Sequence, residues 1–292
     1  MARWFALFCL LLSASVAQGE DEEAPTSRLY MESLLATRIN PGGLLERFYL
    51  SYRHKLSESE HILLADTYFS VGPVIALTPG NISIGPQLKF QPLAILGFRA
   101  SYEFFGSFGS FRQVQQFDSL SADYSDTALK SMGGVQKRIG GIVNLEGRFQ
   151  IKLGPIATRN TFLMRRYDIR SDADQVAFYD QNADLLSPNH GWIWTNDLDL
   201  LFVLPSGFTV GARWTAAQAL HGEGQNTDVN HRVGPILAMT LFNHPGAAFN
   251  TPTLFVISQW HAEHPYRTGE DSSVWMPTIS IGFGFTGDLV PW

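Results

Sequence analysis

The sequence predicts an all-β protein, a transmembrane antiparallel up-and-down β-barrel of about twelve strands. Three observations carry that reading. Apolar and polar residues alternate with period two in a series of segments, many of about 10–13 residues and so longer than an ordinary strand. The links between those segments are alternately short and long, the pattern of a barrel with tight turns at one end and larger loops at the other. The polar face is poor in charge of the kind that soluble surfaces carry. Only 16% of the 292 residues are charged, and Arg outnumbers Lys sixteen to five. A water-facing surface is normally rich in Lys and Glu, whereas the planar fork of Arg suits a crowded interior where carbonyls and acids share its donors.

The chain begins "MARWFALFCLLLSASVAQGE". One basic residue, Arg3, precedes an apolar stretch from Trp4 to Leu12, and Ser15-Val16-Ala17 supplies small residues for cleavage. Residues 1–17 therefore read as a secretory signal peptide, its apolar stretch too short to span a bilayer as a helix. The single cysteine, Cys9, lies inside it, so the mature chain has no disulfide and no lipid-anchored cysteine. Residues 18–28 form an acidic tail, and the barrel is expected over 29–292.

Strands are expected near 29–40, 45–54 and 63–77, then over Ile82–Gln91 and Leu93–Phe105. "GGIVNLEGRFQIKLG" (Gly140–Gly154) shows the division in its clearest form. Val143, Leu145, Phe149 and Ile151 stand on one face, and Asn144, Glu146, Arg148, Gln150 and Lys152 on the other. Further strands follow near 154–167 and 192–204, over Phe208–Ala216, and near 230–242, 253–263 and 273–286. The links at 57–61, 91–92, 152–154 and 204–207 are tight and assigned to the internal side, with 243–252 a longer exception. The long links, Gly106 to about Val135 and Asp168 to Gly191, are assigned to the external side as solvated loops. Phe104, Phe105, Trp192, Trp194, Trp260 and Trp275 fall near the external rim, and Phe202, Phe208, Phe242, Phe283 and Phe285 near the internal one. Such girdles suit the headgroup layers of a membrane.

With the apolar face toward lipid, the polar face encloses a bore. The residues expected to line it are Arg99, Glu103, Glu146, Arg148, Arg159, Arg165, Asp197, Asp199, Arg213 and Arg232. Rings of charged side chains sort ions in pores, and the same residues can equally interlock into a closed plug.

The last alternating stretch, "SVWMPTISIGFGFTGDLVPW", sets Ile279, Ile281, Phe283 and Phe285 on one face and ends at Trp292. It resembles the C-terminal signal of bacterial outer-membrane β-barrel proteins, although Pro291 and "TGDLV" separate the alternation from the final aromatic residue. "FQPLAILGFRASYEFFGSFGSF", "HRVGP", "QWHAEHPYRTGED" and "GFGFTGDL" are similar to a porin-like group of Gram-negative outer-membrane proteins with no assigned activity. That resemblance implies export to the outer membrane, with its lipids and the barrel assembly machinery as partners.

Few motifs suggest chemistry. "HAEHPYRTGED" makes His261, Glu263 and His264 rim candidates for a metal or an acid–base pair. His261 and His264 point to opposite faces of a strand unless a turn begins between them. "DQNAD" (180–184) imitates the start of a calcium loop but has Leu185 where Gly is required and Gly191 where an acid is required. No nucleophile elbow is present, and Asp228 with His231 only weakly imitates an omptin-like pair. The sequence assigns no catalytic residue, metal ligand or cofactor. The net charge of −6 and the lack of a basic stretch argue against nucleic acid. The expected function is a channel for small polar solutes, with a rim enzyme or a closed structural or adhesive barrel as alternatives. The oligomeric state is left open.

Overall fold

The computed structural model describes residues 25–111, 113–133, 137–220, 229–268 and 276–290. The predicted signal peptide, Asp228, Trp275 and Trp292 lie outside those ranges. Twelve long strands close into one antiparallel ring. In chain order they are β1 (Ser27–Ile39), β2 (Gly43–Lys55), β3 (Tyr68–Leu77), β4 (Asn81–Leu93), β5 (Leu96–Ser107), β7 (Arg138–Leu153), β8 (Ile156–Ile169), β11 (His190–Val203), β12 (Phe208–Leu220), β13 (Asn230–Thr240), β14 (Asn250–Glu263) and β15 (Thr278–Asp288). Closure pairs β1 with β15, Tyr30 opposite Asp288 through Ile39 opposite Ile279. Three short strands, β6 (Gln116–Phe117), β9 (Ala177–Asp180) and β10 (Leu185–Pro188), make a separate small sheet. A single helical turn and a half, α1 (Asp126–Ser131), is capped by Ser125.

The ring is inverted relative to a soluble barrel. Along β7, Ile139, Leu145, Phe149 and Leu153 are exposed, while Asn144 and Arg148 are buried. The same holds around the ring, with Leu35, Leu88, Phe98, Phe162, Leu198, Val210, Leu237 and Val256 outside and Glu32, Lys89, Arg99, Thr161, Asp197 and Thr209 inside. An apolar outer band with polar side chains within is the arrangement of a strand-built membrane span, and closure satisfies each backbone N–H and C=O where lipid offers none. Among the described residues no helix is long and apolar enough to cross a membrane.

Three strands carry a Gly-Pro step, at Gly72, Gly85 and Gly234, each followed by an outward-facing proline. Proline cannot donate to the ladder, and glycine lets the neighbouring strand come close. A Cβ on Gly85 would stand 1.8 Å from the Tyr102 carbonyl oxygen.

The expected placement of the loops is corrected at one end. The link between β8 and β11 does not extend into solvent. Its hairpin, β9 and β10, folds back inside the ring, where Phe178, Ala183 and Leu185 pack with Phe105, Ile142, Ile193, Ala217 and Ala219 of the wall. Phe105 therefore belongs to the interior and not to an aromatic girdle, whereas Phe104 is 62% exposed on the outer face. The inner wall turns apolar at this level, and an empty aqueous bore would leave those side chains wet; burying each large one contributes on the order of 1.5–3 kcal/mol. The link between β5 and β7 supplies β6, which pairs with β9, and a cover of Phe117, Tyr124 and Leu129 over Tyr179 and Leu186.

Candidate functional site: a charged bore and a latched hairpin

All ten residues expected to line a bore are on the inner side of the ring. Nine are buried, and Glu146 is half-buried. They interlock in part with partners that the sequence pattern did not pick out. Asp199, itself fully buried, takes Arg159 Nη2 at 2.5 Å on one oxygen and Arg213 Nε at 2.5 Å on the other. Asp197 accepts from Thr215 Oγ1 at 2.8 Å. Glu103 pairs with Arg47 on β2 and accepts from Ser83 at 2.6 Å and Asn144 at 2.9 Å. Arg99 pairs with Glu32 on β1 at 2.9 Å. Arg165 donates to Asn144 at 2.7 Å and to the Tyr167 hydroxyl at 2.9 Å, and Arg148 to Gln91 at 3.1 Å. Arg232 stands beside the β13 bulge.

Glu32, Arg38, Arg47 and Arg53 were missed because β1 and β2 alternate less cleanly. The inner face of β1 runs Tyr30, Glu32, Leu34, Ala36, Arg38, with apolar residues between the charges. The usable signal was the outer set Leu29, Leu35 and Ile39, which assigns the intervening even positions to the interior.

Part of the bore is filled by an apolar layer that includes Leu34, Leu201, Ile236, Phe255 and Ile257. Cavities interrupt the filling among the described residues. One of about 90 Å³ lies under the hairpin, bordered by Arg47, Glu103, Phe105, Arg165, Phe178 and Asp180, and one of about 20 Å³ lies deeper, beside Arg99 and Glu146.

The hairpin tip, 180–184, is fastened from around the ring. "DQNAD" is thus a buried turn and not a solvated loop. Asp180 accepts from the backbone N–H groups of Asn182 and Ala183 and from Tyr167 Oη at 2.6 Å. Arg38 of β1 donates to the carbonyls of Gln181 and Asn182. Asp184, with φ of 56°, occupies the left-handed region that Asp tolerates. Its carboxylate accepts Tyr179 Oη at 2.5 Å and Arg267 Nε at 2.5 Å, and its carbonyl accepts Asn230 Nδ2 at 2.6 Å. Arg267 reaches on to Asn40 at 3.1 Å and to Asp126 of α1 at 3.2 Å, so one guanidinium joins the hairpin, the cover and the β1–β2 turn.

The rim candidates separate. β14 ends at Glu263, and the turn that follows brings His264 round to His261, ring centroids 4.9 Å apart. Both approach Asp184 Oδ2, at 3.2 Å from His261 Nε2 and 3.5 Å from His264 Nε2. Glu263 stays outside, 3.8 Å from His231 with its side chain 67% exposed.

Asp184, His261 and His264 have the residue types of a metal trio, and their ligand atoms lie within 4.8 Å of one another. Their hydrogen bonds fit a latch better. His264 Nδ1 accepts the Tyr266 backbone N–H at 3.0 Å, and Nε2 is 2.9 Å from the Asp184 carbonyl oxygen. A carbonyl only accepts and an amide N–H only donates, so His264 is neutral with its proton on Nε2, the nitrogen a metal would need. The Arg267 cation occupies the carboxylate as well. Burial pushes His264 down to about 4, consistent with a neutral ring. Burial alone would raise the Asp184 carboxyl, but the neighbouring His261 and the Arg267 cation outweigh it and hold the group well below the usual aspartate range.

No protein-family model and no curated protein matches this chain. Among solved structures it is similar to the β domain of the Bordetella autotransporter BrkA, at 12% identity over 91% of this chain and 100% of that one, with a TM-score of 0.47. It is similar also to a loop-deleted OmpT, an outer membrane protein of Vibrio cholerae, at 6% identity over 91% and 100% of the two chains, TM-score 0.39. A third is the outer membrane protein OprD of Pseudomonas aeruginosa, at 10% identity over 90% and 93%, TM-score 0.28. The likeness is one of fold, and the chain itself has the closed twelve-stranded architecture of an outer-membrane-type β-barrel.

Proposed function

We propose that the protein is a porin-like channel of the bacterial outer membrane for small polar solutes, held shut in this conformation by the hairpin at its mouth. Export through a cleaved signal at residues 1–17 and insertion by the barrel assembly machinery belong to the same reading. Chain termini then lie at the periplasmic end and the hairpin at the external end. One observation carries it. The twelve-stranded ring is complete without the hairpin, which belongs to a connecting loop and is fastened to the wall at its tip largely by side-chain hydrogen bonds. A plug of that kind can be displaced without breaking the wall.

A planar bilayer tests this. Wild-type protein is expected to open rarely, and Asp184→Ala to raise open probability at least tenfold. Silence from both proteins, with folding verified by heat-dependent gel mobility, would sink the channel. A closed structural barrel is the second reading, favoured by the apolar layer around Leu34, Ile236, Phe255 and Ile257. A rim enzyme has less support, since both His264 nitrogens and the Asp184 carboxylate are already engaged.

A further inference from the structure

A hydrogen-bonded bridge crosses the bore under the hairpin. Glu103 of β5 takes Arg47 of β2 on Oε1, together with Ser101 Oγ at 2.9 Å and Asn144 Nδ2 of β7 at 2.9 Å, and takes Ser83 Oγ on Oε2 at 2.6 Å. Asn144 Oδ1 accepts Arg165 Nε of β8 at 2.7 Å. Arg165 Nη1 continues to Tyr167 Oη, which donates to Asp180 of the hairpin. β2 and β8 are five places apart in a ring of twelve, so the bridge runs from one wall to nearly the opposite one. Arg47 and Arg165 border both the cavity of about 90 Å³ under the hairpin and the deeper one of about 20 Å³, and the bridge lies between the two.

The larger cavity has an apolar side, made by Leu45, Phe105, Ile142 and Phe178, and a polar side with charge of both signs. The charged residues that border it are Arg47 and Arg165, and Glu103 and Asp180. Both acids are carboxylates, because donors surround them: those of the bridge on Glu103, and two backbone N–H groups and the Tyr167 hydroxyl on Asp180. Charge around the cavity therefore balances, and an ionic guest would be buried without a counter-ion of its own. The hydrogen-bonding groups do not balance. Arg47 donates through Nε and Nη2 and Arg165 through Nε and Nη1, and among the described residues Arg47 Nη1 and Arg165 Nη2 make no hydrogen bond. Neither nitrogen is sealed from water-sized space. Gln113 accepts through Oε1, from Thr78 Oγ1 at 2.8 Å and Asn81 Nδ2 at 2.5 Å, which leaves its Nε2 as a further donor at the cavity. A guest must thus supply an acceptor on one side and hydrocarbon on the other, the usual make-up of a small-molecule site. An apolar cavity of about 150 Å³ admits benzene, so this smaller one suits a molecule of about four to six heavy atoms.

We propose that the cavity under the hairpin is a binding site for a small uncharged carbonyl compound of the class of acetamide or propionamide, its oxygen accepting from the open guanidinium edges and its alkyl end lying against Phe105 and Phe178. The site follows from the lining of the cavity alone and does not require that the barrel conduct.

Saturation-transfer NMR titration of the full barrel in zwitterionic detergent with propionamide, propionate and propylammonium, at matched ionic strength and corrected for uptake by protein-free micelles, tests it. Propionamide is expected to saturate and to bind at least tenfold more tightly than either ion. Ala76→Leu, which puts a larger side chain into the same cavity, should weaken propionamide at least tenfold, and Arg165→Lys, which removes Nη2, at least fivefold. No saturable propionamide binding, propionate or propylammonium bound as tightly, or an affinity unchanged by both substitutions would overturn the site. If the variants fail to fold, ligand length decides on the wild-type protein. Acetamide and propionamide should bind and hexanamide, too long for the cavity, should not; affinity that rises steadily with chain length would mark non-specific uptake and count against the site. A silent bilayer with intact propionamide binding would reject the channel and keep the site.

Discussion

Asp184 concentrates the chemistry of the mouth in one carboxylate. It is fully buried, yet it receives a tyrosine hydroxyl and a guanidinium, and its carbonyl receives an amide. Removing one partner of a buried ion pair leaves the other without compensation, a loss of about 3–5 kcal/mol in buried cases. Asp184→Asn should therefore undock the hairpin, read as faster proteolytic cleavage within 177–188 while the strands stay protected. The pH dependence follows from His264, whose side chain is 1% exposed and which falls from 6.5 to about 4 on docking. The undocked ring takes up a proton more readily, so docking is strongest above pH 6.5 and weakens as pH falls toward 4. The loss is about 3 kcal/mol over that window. Asp184, held low, adds a further loss only once the pH drops into and below the ordinary aspartate range. Cleavage within the hairpin should increase between pH 6.5 and 4, and a flat profile would contradict the neutral, buried ring. His264 was visible as a candidate, but its role was not. Its tautomer depends on Tyr266 and on a carbonyl 80 residues away in the chain.

At the level of the element, Gly140–Gly154 shows why period two was legible. β7 runs through lipid on one side and a polar interior on the other, so each successive residue meets the opposite solvent. β1, β13 and β14 were harder because their inner faces contribute Leu34, Ala36, Ile236, Ala238, Phe255 and Ile257 to a packed layer, which blurs the contrast between faces. The charged inner sets remain energetically distinct. Asp199→Asn leaves Arg159 and Arg213 facing each other at zero exposure and should cost about 3–5 kcal/mol in equilibrium folding into lipid vesicles. The β9–β10 hairpin gave no warning that it would turn inward. Its acids, Asp180 and Asp184, read as a solvated loop because their partners, Tyr167 and Arg267, and the Arg38 that donates to the carbonyls between them, come from three separate regions of the chain.

For the whole molecule, the consequence of an inside-out barrel is that the outside must tolerate hydrocarbon. Leu145, 44% exposed midway along β7, is such a position. Leu145→Arg should destabilise the folded, inserted state by about 2–4 kcal/mol. In a soluble protein a charged residue at an exposed strand site would change stability little, so a value near zero would place that face in water. By itself the sequence determined the all-β class, the number of long strands and the division of each into a greasy and a polar side, because alternation is a local property of adjacent residues. It also marked ten of the charged residues that face inward. What only the tertiary structure decided is that the interior is filled: by Glu32 and Arg47 completing the ion pairs, by an apolar layer, and by a loop folded back through the mouth. Those are contacts between segments distant in the chain, made when closure of the ring brings opposite walls within reach of one another, and no periodicity along a single strand records them.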